Sequence, residues 1–148
     1  KGLCLVNATA IEDDTERKTL RLRTNKMIQN NFENIVRMSF TNLFGEKSRR
    51  LFKAEMKAAL QEALKTPMQG YIAGQEGMRI RPNRTAVLTE NSFKKLIIIG
   101  KKDPVLNLET SLNEAKRTNS EVVVFPEGHM SHIENTTELR ATLLAFVK

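Results

Sequence analysis

A chain of 148 residues can bury one substantial core, and 40% apolar with 28% charged residues is ordinary for a globular domain. No apolar run approaches the roughly 20 residues of a membrane crossing, and a single cysteine, Cys4, excludes an internal disulfide. The net charge of +7 raises nucleic acid as a partner, but charges of both signs alternate through the middle of the chain. The one tight basic cluster there, Lys47, Arg49, Arg50 and Lys53, has no aromatic ladder beside it, so nucleic-acid binding is not expected.

The first element is the apolar run Leu3–Val6. With no initiator Met and no small-residue cleavage site around it, it reads as a strand entered midway in a cytoplasmic protein, with Cys4 a buried core residue. About ninety residues without a strand-like run follow, and they divide into helices. Thr15–Asn30 is charged and amphipathic. Phe32–Phe44 puts Phe32, Ile35, Val36, Phe40 and Leu43 on one side, and Gly45 breaks it. Ser48 is expected to cap a helix running to about Lys65, with Leu51, Phe52, Met56, Leu60 and Leu64 inside. Thr66-Pro67 starts another, ended around Gly74–Gly77, and a short one covers Thr85–Thr89. Phe32, Phe40, Phe44, Met38 and Met56 suit either a core or a pocket wall.

Like Leu3–Val6 before them, Leu96–Ile99 and Val122–Phe125 are continuous apolar runs, the pattern of parallel strands buried on both faces. Leu108, Leu112 and Ala115 lie between them at helical spacing, which predicts a right-handed strand–helix–strand unit. The closing helix, Thr136–Lys148, is expected to turn Leu139, Leu143, Leu144 and Val147 inward, with Asn135 and Glu138 forming a capping box. The fold class is therefore α/β: a three-stranded parallel sheet, residues 1–11 and 91–148, with a helical lid, residues 12–90, inserted after the first strand.

Ligands of open parallel sheets sit beyond the carboxyl ends of the strands. Asp103 follows the second strand through Gly100-Lys101-Lys102, and His129 follows the third through Pro126-Glu127-Gly128. An Asp there can hold an imidazole in one tautomer, leaving the His as general base. His132, further on, reads as structural. Glu12, Asp13 and Asp14 offer a second place for the acid, although the solvated first turn of a helix explains them better. Arg81 and Arg84 are expected to pair with carboxylates beneath the lid or to touch a substrate.

The stretch KLIIIGKKDPVLN, followed by EVVVFPEGHMSHIENTTELRATLLAFV, resembles the closing segment of α/β-hydrolases. KGLCLVNATAIEDD is similar to that family's strand and loop leading into its lid, and RIRPNR to the return from it. The resemblance implies Asp103 as triad acid and His129 as base, no cofactor, and a small ester-like substrate for the intact parent. The departure is equally plain. No Gly-x-Ser-x-Gly nucleophile elbow exists, and Ser39, Ser48, Ser92, Ser111, Ser120 and Ser131 all lack its strand–turn–helix context. The expectation is the C-terminal half of a serine hydrolase, inactive without its N-terminal half, and prone to dimerise through the bare Leu3–Val6 edge or the lid. The rival reading is a non-catalytic helical module that binds a protein or an acidic partner.

Overall fold

The computed structural model describes all residues from Lys1 to Lys148. Three strands, β1 (Gly2–Val6), β2 (Lys94–Gly100) and β3 (Glu121–Phe125), form a wholly parallel sheet in the order β1-β2-β3. Parallel neighbours need crossovers, and here they are helical. Five helices lie between β1 and β2: α1 (Thr15–Thr41), α2 (Glu46–Leu51), α3 (Lys53–Leu64), α4 (Met68–Ile80) and α5 (Thr85–Thr89). Then α6 (Leu108–Arg117) links β2 to β3, and α7 (Ser131–Glu134) and α8 (Thr136–Val147) close the chain. The three-stranded parallel sheet and the helices between its first two strands agree with the sequence reading. No helix is long and apolar enough to cross a membrane.

Only β2 is buried on both faces, with Leu96, Ile97, Ile98 and Ile99 each no more than 3% exposed. The expectation of three such strands is corrected for its neighbours. Leu3, Val122 and Val124 are exposed, because β1 and β3 each pair with β2 alone and are sheet edges. On one face Leu139, Leu143 and Phe146 of α8 pack with Cys4, Val6 and Val123 against Leu96, Ile98 and Phe125. Cys4 is thus half-buried, and burial pushes its thiol pKa up. Alternation gives Ile97 and Ile99 to the other face, where α6 packs. That helix presents Ser111, Glu114, Ala115 and Thr118 inward and leaves Leu112 outside, against expectation.

The insertion has its own core. Ile28, Ile35, Val36, Phe40 and Phe44 are buried, α1 packs on α3 and α4, and Phe32 meets Tyr71 edge-on. The break expected between two helices over residues 15–44 is present as a kink within α1 at Asn31, whose φ of −152° is not helical, and α1 ends at Thr41 rather than Phe44. The single helix expected from Ser48 to Lys65 is two. Gly45 takes the cap position, Phe52 breaks the run with φ −108° and ψ 35°, and Ser48 is buried as a helical residue. Leu51 is consequently exposed rather than inside. Gly74 and Gly77 do not end α4, which continues to Ile80 until Pro82 approaches.

Candidate active site

Both loops that the sequence singles out leave the same edge of the sheet. β2 and β3 are in register, Gly100 opposite Phe125, so the chain exits both strands side by side. The loops are then stitched together: Lys101 N–H donates to the Phe125 carbonyl (2.7 Å), Lys102 N–H to the Glu127 carbonyl (3.1 Å), and Lys102 Nζ pairs with the Glu127 carboxylate (3.0 Å). Gly100 makes this closeness possible, because a Cβ there would collide with the carbonyl oxygens of Glu127 and Gly128. Gly128 is constrained in turn, since a Cβ would lie 2.9 Å from both carboxylate oxygens of Glu134.

The result brings Asp103 Oδ2 to 2.8 Å from His129 Nδ1. The Asp103 side chain is fully buried and the imidazole about one-fifth exposed. Burial works to raise the Asp103 pKa. It is outweighed by the hydrogen bond from His129, the Leu106 N–H, the positive charge that His129 can carry and the Val105 N–H, which together hold the carboxyl below its usual range. Those two N–H groups donate to Oδ1 at 2.9 and 2.7 Å. An ionised carboxylate only accepts, so Nδ1 carries the proton of the neutral ring and Nε2 keeps its lone pair free for base chemistry. Beyond the histidine, the Glu134 carboxylate accepts from Met130 N–H (2.9 Å) and anchors the far end of the turn.

A residue that the sequence reading passed over completes the arrangement. Asn7 directly follows β1 with φ +45°, and its Nδ2 donates to Asp103 Oδ2 (3.2 Å) and to the Gly128 carbonyl (3.3 Å). The only signal in the sequence was an Asn just past an apolar run, a residue type that tolerates left-handed backbone.

The other candidates separate from this pair. His132 is exposed on α7 and hydrogen-bonds nothing through its ring. None of the six serines bonds to His129; Ser39 Oγ instead accepts from the Tyr71 hydroxyl (3.2 Å). Of the early acids, Glu12 pairs with Lys18 (2.8 Å) and Asp14 caps α1 through Arg17 N–H (2.7 Å). Asp13 is not solvated as expected but buried against Arg21. Arg81 meets backbone rather than carboxylates, donating to the carbonyls of Thr9 (3.0 Å) and Ile11 (2.7 Å), while Arg84 N–H binds the Ala10 carbonyl (2.8 Å). Asn135 forms no capping box; its amide is buried without a partner between α7 and α8. In the basic cluster Arg50 pairs with Glu46, and Arg49 binds the Phe44 carbonyl. No group of three or more His, Cys, Asp or Glu side chains could hold a metal ion. A cleft of about 320 Å³ opens between the insertion and the acid's loop, lined in part by Leu20, Arg21, Leu43, Tyr71, Pro104 and Val105.

A parallel sheet with a helical insertion, and an acid and a histidine beyond neighbouring strands, defines a class: the α/β-hydrolase fold. Solved structures agree. An esterase from Thermogutta terrifontis, solved with malate bound, matches 99% of this chain with a TM-score of 0.88 and 26% identity. An enol-lactonase from Burkholderia xenovorans LB400 matches 99% with a TM-score of 0.85 and 15% identity. An alpha/beta hydrolase from a Medee basin deep-sea metagenome matches 99% with a TM-score of 0.81 and 17% identity. This chain therefore has the fold of the α/β-hydrolase superfamily and spans 55–56% of the length of these three proteins. No protein-family model matches the sequence, and neither does any curated protein.

Proposed function

We propose that this chain is the C-terminal part of a serine hydrolase, contributing the acid and base of its catalytic triad. The observation that carries the reading is the fully buried Asp103 carboxylate 2.8 Å from His129 Nδ1. In this reading residues 1–11 and 91–148 belong to the hydrolase core and residues 12–90 to a lid. His129 Nε2 removes the proton from a serine hydroxyl supplied by polypeptide outside these residues. Asp103 fixes the ring's tautomer and stabilises the imidazolium that forms, and His129 then returns the proton to the leaving group. The substrate is a small ester, or a related molecule cleaved at a carbonyl or carbon–carbon bond. Two features support the need for a partner segment: the absence of a nucleophile elbow, and the 55% span of the esterase it resembles. A non-catalytic interaction module would leave the buried acid–imidazole pair without a purpose.

The purified chain is expected to give no covalent adduct with a fluorophosphonate and no ester turnover beyond that of free imidazole, because nucleophile and oxyanion donors are both lacking. Joined to a nucleophile-bearing segment, it should turn over esters, and His129→Ala should lower kcat by about 10³-fold or more at unchanged folding. Labelling of the chain alone, or a His129→Ala enzyme of undiminished rate, would overturn the proposal.

A further inference from the structure

We infer that Asn7 is a positioning residue for the acid–histidine pair, a tie from the end of β1 that holds Asp103 Oδ2 and the Gly128 carbonyl in mutual register. The inference rests on the hydrolase reading and adds a residue to it. Three observations on Asn7 converge. Its one amide group bridges loops 96 and 121 residues away in sequence, so the ends of all three strands meet at a single side chain. Its backbone is left-handed at φ +45°, a conformation that puts the side chain back over the strand ends and that few residue types accept without strain. Its Oδ1 is buried and has no donor.

The unpartnered Oδ1 separates a placed group from an incidental contact. Both partners of Nδ2, a carboxylate and a carbonyl, can only accept, so the amide cannot flip to satisfy Oδ1. A buried oxygen without a donor is unfavourable, and a residue that only capped a strand would have no reason to tolerate it. What the orientation secures is the carboxylate oxygen that faces the imidazole. Val105 and Leu106 fix Oδ1. Oδ2 is held by His129 and Asn7 alone. Without Asn7, the carboxylate can still ionise, but nothing but the histidine itself fixes Oδ2, and the carbonyl preceding that histidine loses its tether. Glu114 supports the tie from behind: fully buried, it accepts from Thr9 Oγ1 (2.6 Å) and Ala10 N–H (2.8 Å) and pins the loop that Asn7 begins.

The test reads the neutral tautomer of each imidazole by long-range nitrogen–proton NMR on the 148-residue chain, with the exposed His132 as internal reference. Wild type is expected to hold His129 as the Nδ1–H form while His132 shows an ordinary mixture. Asn7→Gly keeps the left-handed backbone and removes only the side chain. Asn7→Leu keeps the size, removes the donor and strains the backbone. The two variants act oppositely on the main chain, so a shared effect belongs to the amide. Both should lower the Nδ1–H to Nε2–H ratio of His129 by roughly tenfold, because Oδ2 released from its tie no longer stays against Nδ1, with the circular dichroism of wild type. Ratios unchanged in both folded variants would overturn the inference. Asp103→Asn serves as the control: if it too leaves the ratio unchanged, the acid–histidine pair itself is at fault and the hydrolase reading falls instead.

Discussion

Asp103 makes the stability of the fold depend on pH. Its folded-state pKa lies below the ordinary value, so its contribution to stability is fully present above the unfolded pKa, near 4, and is lost as pH falls through the folded value. Denaturant unfolding across the acid range should show stability dropping on acidification, with a visibly shallower drop in Asp103→Asn; identical slopes would mean that the carboxylate gains nothing on folding. Gly100 is a steric counterpart. Gly100→Ala would drive a methyl group into the carbonyls of Glu127 and Gly128, parting the two loops and lowering stability by about 1–3 kcal/mol. Gly45→Ala meets nothing within 4 Å, so its cost is confined to the cap position that Gly45 holds for α2, under about 1 kcal/mol. At this scale Asp103 and His129 were legible in the sequence, since a strand, a short turn and a residue type suffice to put both at one sheet edge. Asn7 was not. Its role is set by partners from two distant loops, and by a backbone angle that no pattern of apolar residues encodes.

Among the elements, the strands and most of the helices followed from apolar runs and periodicity, α7 did not, and the errors lie where packing overrides local pattern. A helix face is inward only if something covers it. Leu144 and Val147 continue the apolar stripe of α8, yet they are 51% and 75% exposed, because α8 rests on the sheet through Leu139, Leu143 and Phe146. Val147→Lys should therefore change stability by no more than about 0.5 kcal/mol. Ile28→Ala, at a fully buried position in α1, should lower it by about 2–5 kcal/mol. Equal effects in thermal unfolding would reverse the assignment of faces. Gly74 and Gly77 illustrate the opposite override. Glycine lowers helix propensity by about 1 kcal/mol relative to alanine, which suggested a stop, but α4 packs along α1 and the helix runs through both. Phe52 was invisible as a break for the same kind of reason: its residue type is compatible with helix, and only the turn between α2 and α3 makes its ψ of 35° necessary.

For the molecule as a whole, the decisive feature is a sheet with two open edges. β1 hydrogen-bonds to β2 on one side only, and beside it Leu3, Leu5, Val87 and Leu88 line an apolar trough of about 290 Å³. An unpaired strand edge with apolar neighbours is a template for another strand, and the +7 net charge, screened within about 8 Å at physiological salt, is too weak a deterrent to keep copies apart. The 148-residue chain should therefore self-associate with rising concentration in sedimentation equilibrium, more strongly at high salt. Leu3→Lys places a charge on that edge, where natural sheets use lysine to discourage pairing, and should return the chain to a monomer. Association that persists in Leu3→Lys but disappears in Val147→Lys would assign contact to the exposed stripe of α8 instead. A wild-type chain monomeric at every concentration would show that neither surface recruits a copy. If the edge normally receives the nucleophile-bearing segment, adding that segment should dissolve the self-association and bring ester turnover in the same titration, because one strand edge admits one neighbour.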